Sequence, residues 1–472
     1  MESYNPTIGI EVHVEVKSKS KLFSNSANTY GMATNTAVNV IDLGYPGTLP
    51  TINREIIKQG IRAAHVLHCD ITRRMHFDRK NYFYPDNPKN YQITQNRTPI
   101  GTNGYVEIET KEGKKKIYIE EIHIEEDTCK SAHRGSVSLL DFNRAGVPLI
   151  EIVTKPCINN SEEAVAYLIK LKELLFYANI SDCKMEEGSM RCDANVSISK
   201  DNRLGTKTEI KNIGSIHSVG LAINKEIKRQ ESMLAKGETI KEETRRFDDK
   251  LGETVLMRVK ETGNDYRYFI EPDIPYLELD DTFINEALST LSLLPDELRV
   301  KYTSLNLTPL QIEKLIANRP LNSFFLKLLD YDTNYQVAAN LLLEDISSYL
   351  NKTNKSLQDT ALDYERLIDI IEELETGAIS NKNIKEILPL VMETTDSLAT
   401  IKNKCQIENI TDDTVIMDII NQVLSENEES VTDYKNGHDR ALKYLMGQVM
   451  KLAKGKVNPK KANEMLVSAL NK

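Results

Sequence analysis

The chain has 472 residues, 40% of them hydrophobic and 28% charged, with a formal net charge of −10 at pH 7. That length exceeds what one hydrophobic core organises and predicts two to four domains. No run approaches the ~18 apolar residues of a membrane span, and Met1-Glu2-Ser3-Tyr4-Asn5-Pro6 lacks the basic and apolar regions of an export signal, so a cytoplasmic protein with no membrane partner is expected. The six cysteines, Cys69, Cys129, Cys157, Cys183, Cys192 and Cys405, form no C-x-x-C pair, which predicts reduced thiols and neither a disulfide framework nor a zinc knuckle. No Walker A pattern, G-x-G-x-x-G or internal repeat is present.

The first predicted element, residues 9–16, reads Gly9-Ile10-Glu11-Val12-His13-Val14-Glu15-Val16. Strand alternation puts Ile10, Val12, Val14 and Val16 on one face and Glu11, His13 and Glu15 on the other, about 6.6 Å apart along the strand. Two such side chains can converge on one cation; a solvated outward face is the other reading. A helix is expected over 56–67. Val106 to Thr110, a Lys111-Glu112-Gly113-Lys114 turn and Ile117 to Ile124 read as a hairpin. Within its second strand Ile117 and Ile119 have one parity and Ile122 and Ile124 the other, so the strand must slip phase near Glu120, as a β-bulge does. Helices follow over 161–178 and 218–236, with an alternating strand over 191–199 between them. Strands and helices do not alternate strictly, which points to a mostly antiparallel α+β domain over 1–293.

Beyond that point apolar residues recur at helical spacing over 308–318, 320–329, 335–350 and 361–373, predicting an all-α domain at 294–405. An acidic helix over 413–424 leads into a small helical tail, 406–472. Residues 406–434 carry eight acidic residues and no Lys or Arg, whereas 435–472 carry nine cations against Asp439 and Glu464. That reversal suggests a local phosphate-binding surface on an acidic protein, or a basic helix packed on its acidic neighbour. Leu442, Leu445, Val449 and Leu452 form a helical core stripe ending at Gly455, with Pro459 beyond to stop it.

Four further segments carry candidate chemistry. In Phe77-Asp78-Arg79-Lys80-Asn81-Tyr82-Phe83-Tyr84-Pro85-Asp86-Asn87-Pro88-Lys89-Asn90-Tyr91-Gln92, cations interleave with aromatics, a pattern suited to phosphates and a stacked base. His123-Ile124-Glu125-Glu126-Asp127 follows the phase slip, and alternation alone leaves open whether Glu125 or Glu126 faces a metal. Met185-Glu186-Glu187-Gly188-Ser189-Met190-Arg191-Cys192-Asp193-Ala194-Asn195 feeds acidic residues onto a strand. Asp265-Tyr266-Arg267-Tyr268-Phe269-Ile270-Glu271-Pro272-Asp273 again sets cations among aromatics. Carboxylates from three segments supply enough oxygen ligands for Mg²⁺, which keeps waters and substrate phosphates in its shell.

With LGYPGTLP, NRAGVPLIEIV, ETRRFDD and the tail's GQVMKLAKGKVNP, these segments make almost the whole chain resemble the B subunit of the aspartyl/glutamyl-tRNA(Asn/Gln) amidotransferases. Residues 303–409 match least distinctly. The resemblance implies a cradle-shaped α+β catalytic domain followed by a helical domain and a tail that touches tRNA. It implies a carbon–nitrogen ligase with glutamine as amido donor, in which ATP and Mg²⁺ serve to phosphorylate the side-chain carboxylate of misacylated Glu-tRNA(Gln) or Asp-tRNA(Asn) and ammonia displaces the phosphate. Ammonia is expected from the glutaminase, or A, subunit, bridged by the small C subunit into a heterotrimer, since this chain has no amidase-type nucleophile motif of its own.

By the same resemblance Glu11, His13, Glu126 and Asp193 map onto the metal and catalytic pocket, with Glu186 and Glu187 nearby. Lys80 and Lys89 map onto the loop and channel region. Arg79, Tyr82 and Arg267 are the further nucleotide-binding candidates, and Lys435, Lys443, Lys451, Lys454 and Lys456 the tRNA-binding ones. Imidazole suits Mn²⁺ better than Mg²⁺, so His13 favours Mn²⁺ or acts through water. The other reading is a non-catalytic tRNA-binding scaffold.

Overall fold

The computed structural model describes residues 4–201, 203–259, 265–407, 412–435, 438–453 and 456–471. The chain divides into two compact units, 1–295 and 296–472. In the first unit the elements that position the site are β1 (Asn5–Glu15), α1 (Arg54–Val66), β2 (Asp78–Asn81), β3 (Tyr91–Thr94), β4 (Tyr105–Thr110), β5 (Gly113–Glu126), β6 (Pro148–Thr154), α2 (Ser161–Tyr177), β7 (Met190–Ser199), β8 (Thr208–Lys211), α3 (Ile216–Ala235), β9 (Glu243–Asp248), β10 (Glu253–Val259) and β11 (Phe269–Ile270).

The large sheet runs β10-β9-β8-β7-β1-β6-β5 and continues through the short strands Gly101–Thr102 and Asp70–Ile71, while β4 forms the hairpin with β5. Its pairings are antiparallel except β8 with β9. This is the mostly antiparallel α+β arrangement expected. β1 lies between β6 and β7, and its alternation divides it cleanly: Ile8, Ile10, Val12 and Val14 are at most 1% exposed. Their face is covered by Ile56, Ile57 and Ile61 of α1, Leu168, Leu171 and Leu175 of α2, and Val219, Ala222 and Ile223 of α3. Each helix starts where an Asn or Ser side chain accepts a backbone N–H: Asn53 from Glu55, Asn160 from Glu163 and Ser215 from Ser218. With the helices on one face, the other is left to polar side chains.

The bulge expected near Glu120 is present. Val153 of β6 pairs with Glu121 and Thr154 with Ile119, leaving Glu120 as the extra residue. Ile117 and Ile119 before it, and Ile122 and Ile124 after it, are all fully buried. The bulge keeps both pairs in the core and turns Glu121, His123 and Glu125 to the polar face. Ile124 also receives α1 at close range: a Cβ on Gly60 would lie 2.5 Å from its Cδ1.

The second unit is helical. The run expected over 335–350 is interrupted by a π-helical segment, Leu341–Ile346, between Tyr335–Asn340 and Ser347–Thr353. Toward the C-terminus, Asp413–Glu426, Asp439–Leu452 and Pro459–Leu470 enclose their own core around Ile416, Ile420, Leu445, Val449 and Leu466. Two expectations are corrected here. Leu452 stands 40% exposed and Ala453 is buried instead, because the helix ends there. Pro459 opens the last helix, where its missing N–H has no intrahelical partner to lose. Among the described residues, no helix is long and apolar enough to cross a membrane.

Replacing Gly60 by Ala tests the helix–strand contact. Overpacking costs about 1–3 kcal/mol against a helix-propensity gain of about 1 kcal/mol. A net loss of stability is therefore expected in urea unfolding, with faster amide exchange along β5; a more stable variant would show that the contact yields freely.

Candidate functional site

The polar face of the large sheet is built by register. Across the strands, Arg191, His13, Glu151 and His123 form one row, and Asp193, Glu11, Val153 and Glu121 the next. Two groups of ligating atoms result. Those of His13, Glu125 and Glu151 lie within 4.8 Å of one another, as do those of Glu11, Asp193 and Glu209. His13 Nε2 stands 3.6 Å from Glu125 Oε1 and 3.7 Å from Glu151 Oε1. Thr94 Oγ1 donates to the other Glu125 oxygen at 3.1 Å, and Asn195 Nδ2 to Glu11 at 2.8 Å.

Cations meet these carboxylates. Lys211 Nζ lies 2.6 Å from Asp193 and 3.0 Å from Glu209; burial opposes its charge, yet the two carboxylates hold its ammonium above the lysine range. Lys80 reaches in from β2 with its Nζ 5.0 Å from the centre of the Tyr266 ring. Burial again opposes the charge, and Glu125 with Tyr268 and Glu151 outweighs it. Burial also works to raise the carboxyls. It prevails in Glu11 and in Glu125, where the charge of Glu151 adds to it. In Glu151, His13, His123, Lys80 and Lys211 overcome it and the carboxyl lies below its ordinary value. Glu125 therefore holds a proton more readily than Glu151.

The structure brings Glu11, His13 and Asp193 together, but not Glu126. Successive residues of a strand point to opposite faces, so Glu125 takes the place beside His13. Glu126 turns instead to the ammonium of Lys89 and to the backbone N–H of Ile93 at 2.8 Å. Arg79 is committed elsewhere too: its Nε and Nη2 donate to the fully buried Glu271 at 2.6 and 2.8 Å, and its guanidinium lies 4.2 Å from the centre of the Tyr91 ring.

The remaining candidates spread around this centre. Tyr82 packs edge-on to Tyr266, and burial together with the charges of Asp86, Glu125 and Asp127 holds its phenol well above the usual value. Arg267 is exposed, with its guanidinium 5.9 Å from the centre of the Phe83 ring. Glu186 and Glu187 are exposed on the turn before β7, Glu187 paired with Lys184 at 2.8 Å; neither belongs to the two ligating groups. In the second unit Lys435, Lys443 and Lys451 are exposed and Lys456 is half-buried, while Lys454 lies outside the described residues. Glu151 and Glu209 escaped the sequence reading, although the Ile150-Glu151-Ile152 alternation carried the same signal as β1.

Two family models match the chain: the GatB/GatE catalytic domain over residues 6–285 and the GatB domain over residues 323–470. The B subunit of the aspartyl/glutamyl-tRNA(Asn/Gln) amidotransferase of Geobacillus thermodenitrificans is 46% identical, with both chains covered completely. Its namesake from Ligilactobacillus salivarius is 45% identical, with 99% of each chain covered. The chain belongs to the family of amidotransferase B subunits. In this family member the His13 and Glu11 groups, and the strand that carries Lys80, lie inside the region matched by the catalytic-domain model.

Replacing Arg79 by Met would strand the buried Glu271 carboxylate. Breaking one partner of a buried pair costs about 3–5 kcal/mol, so Arg79→Met is expected to lower the urea midpoint and loosen β2, read by amide exchange at residues 78–81. Unchanged exchange there would remove Arg79 from its latching role.

Proposed function

We propose that the chain is the transamidating component of a tRNA-dependent amidotransferase, using ATP and a divalent cation to convert misacylated Glu-tRNA(Gln), Asp-tRNA(Asn) or both to the amide in the cytoplasm. The observation that carries this reading is the His13–Glu125–Glu151 group beside Glu11–Asp193–Glu209 on one sheet face. One imidazole nitrogen among carboxylate oxygens from separate strands fits Mn²⁺ or Mg²⁺, each of which leaves places for water and phosphate oxygens. When bound, such an ion neutralises phosphate charge and fixes the nucleotide for in-line transfer.

The side-chain carboxylate of the aminoacyl group attacks the γ-phosphorus of ATP, and ADP leaves. Ammonia then attacks the acyl carbon of the resulting acyl phosphate, inorganic phosphate leaves with the C–O electron pair, and the nitrogen loses a proton. Lys80 opposes charge developing above Glu125 and Glu151, and Lys211 opposes it beside Asp193. Tyr82, Tyr266 and Tyr268 exclude water that would hydrolyse the acyl phosphate. The ammonia is assigned to the glutaminase, or A, subunit, joined through the small C subunit, with glutamine as amido donor.

In the assembled enzyme, Glu125→Gln and Glu151→Gln are each expected to cut ATP-dependent phosphate release on misacylated tRNA by about 10²–10³, the scale of a lost preorganised electrostatic group, with tRNA affinity nearly unchanged. Assaying both misacylated tRNAs also decides the substrate range. Normal turnover in both variants would favour a non-catalytic tRNA-binding scaffold.

The tail lysines are assigned to tRNA phosphates. Changing Lys435, Lys443 and Lys451 together to Gln should weaken tRNA binding and make the plot of log affinity against log salt shallower by about 2 to 3, at ~0.7–0.9 per lost phosphate contact. An unchanged slope would make the basic helix a packing element.

A further inference from the structure

Phosphoryl transfer to a carboxylate gathers several negative charges, and most cations around the centre already have partners. Lys89 is taken by Glu126, Arg79 by Glu271 and Lys211 by Asp193 and Glu209. Two arginines are arranged differently. Arg191, directly across from His13 in the β1–β7 register, sends Nη2 to Asp127 Oδ2 at 2.8 Å. Arg144, on the turn before β6, sends Nε to the same oxygen at 2.5 Å. A single carboxylate oxygen thus yokes two guanidiniums, and each spends one of its five N–H donors on it.

The yoke is firmly held. Asp127 is 7% exposed, its N–H donates to Val147 O at 2.8 Å, its carbonyl accepts from Gly146 N at 2.9 Å, and Val147 N closes the turn onto Arg144 O at 3.0 Å. Its second carboxylate oxygen accepts from Thr128 N at 2.8 Å. The Arg144 and Arg191 side chains are 30% and 42% exposed. The β1–β7 register links the pair to the His13 group, since Arg191 stands directly across from His13, which in turn stands across from Glu151.

We propose that Arg144 and Arg191, aligned by Asp127, bind an oxyanion beside the His13–Glu125–Glu151 group. A guanidinium fork matches the planar oxygens of a carboxylate or the edge of a phosphoryl group, and the two on one Asp127 oxygen have two carboxyls beside them, Asp127 and Glu15 of β1, of which burial raises the second above its ordinary value. This rests on the function proposed above and deepens it: the anion is either a nucleotide phosphate or the side-chain carboxylate that is to be phosphorylated. Asp127 acts through the arginines as a positioning residue.

Thermal unfolding of the full chain titrated with inorganic phosphate tests the pair without any turnover. Phosphate is expected to raise the wild-type Tm, by ligand linkage, and this rise should vanish in Arg144→Met/Arg191→Met and partly return in Arg144→Met alone. Should the double variant fail to fold, Arg191→Lys, which keeps the charge and loses the fork, is read in its place and should need at least tenfold more phosphate for the same shift. A wild type that phosphate does not stabilise, or variants stabilised equally, would overturn the proposal and leave the arginines as staples on Asp127.

Kinetics of the assembled enzyme then assign the source of the anion. A tenfold or larger rise in KM for ATP in Arg191→Met marks a nucleotide phosphate, and the same rise in KM for misacylated tRNA marks the side-chain carboxylate. If the wild-type enzyme shows no ATP-dependent turnover, the functional reading fails while the phosphate titration still decides on the arginine pair.

Discussion

Packing several carboxylates on one sheet face is the constraint on which the rest of the catalytic unit depends. Glu11, Glu125, Glu151, Asp193 and Glu209 converge within two adjoining groups, where mutual repulsion and partial burial both oppose ionisation. The fold answers with cations from two directions, Lys211 from β8 and Lys80 from a small separate sheet formed by β11, β2 and β3, while the His13 imidazole lies within 3.7 Å of both Glu125 and Glu151. The carboxyls do not share the burden equally. Histidine and lysine neighbours draw the Glu151 carboxyl below its ordinary value, while burial and the charge of Glu151 push that of Glu125 above its own.

Rigidity at this face comes from the opposite one. The apolar side chains of β1 pack under three capped helices, and a shift of a strand by one residue would carry that strand's charged side chains into the core. The bulge at Glu120 is the local device that makes the design possible in β5. Without it, Ile117 and Ile119 could not share the core with Ile122 and Ile124, and Glu121, His123 and Glu125 would face the helices. The close seat of Gly60 on Ile124 then holds the strand between His123 and Glu125.

Around the centre, the cations divide by what they already bind. Arg79 and Lys89 secure the aromatic loop through Glu271 and Glu126, a structural use of residues whose chemistry suggests phosphate contact. Arg144 and Arg191 share one oxygen of Asp127 and also act on the neighbouring Glu15 carboxyl, drawing it down against burial. Charge on this polar face is therefore better judged by what each cation already binds than by which residues are present.

Much of this was legible in the chain itself. Alternation over Glu11 and His13, the phase slip at Glu120, the helical second half and the family resemblance all follow from local periodicity and from motifs contiguous in sequence, which neighbouring residues encode by themselves. The parity of Ile122 and Ile124 turns Glu125 away from the core, but that parity holds only if the strand runs on unbroken past the slip at Glu120, and the register with β6 and β1 is what establishes that it does. Glu151 and Glu209 were not legible as partners of residues more than 100 positions away, nor was the commitment of Arg79 to Glu271, 192 positions on. Those depend on strand order and on the pairing of distant charges, and only the folded sheet, by bringing separate strands to about 5 Å from one another, decides them.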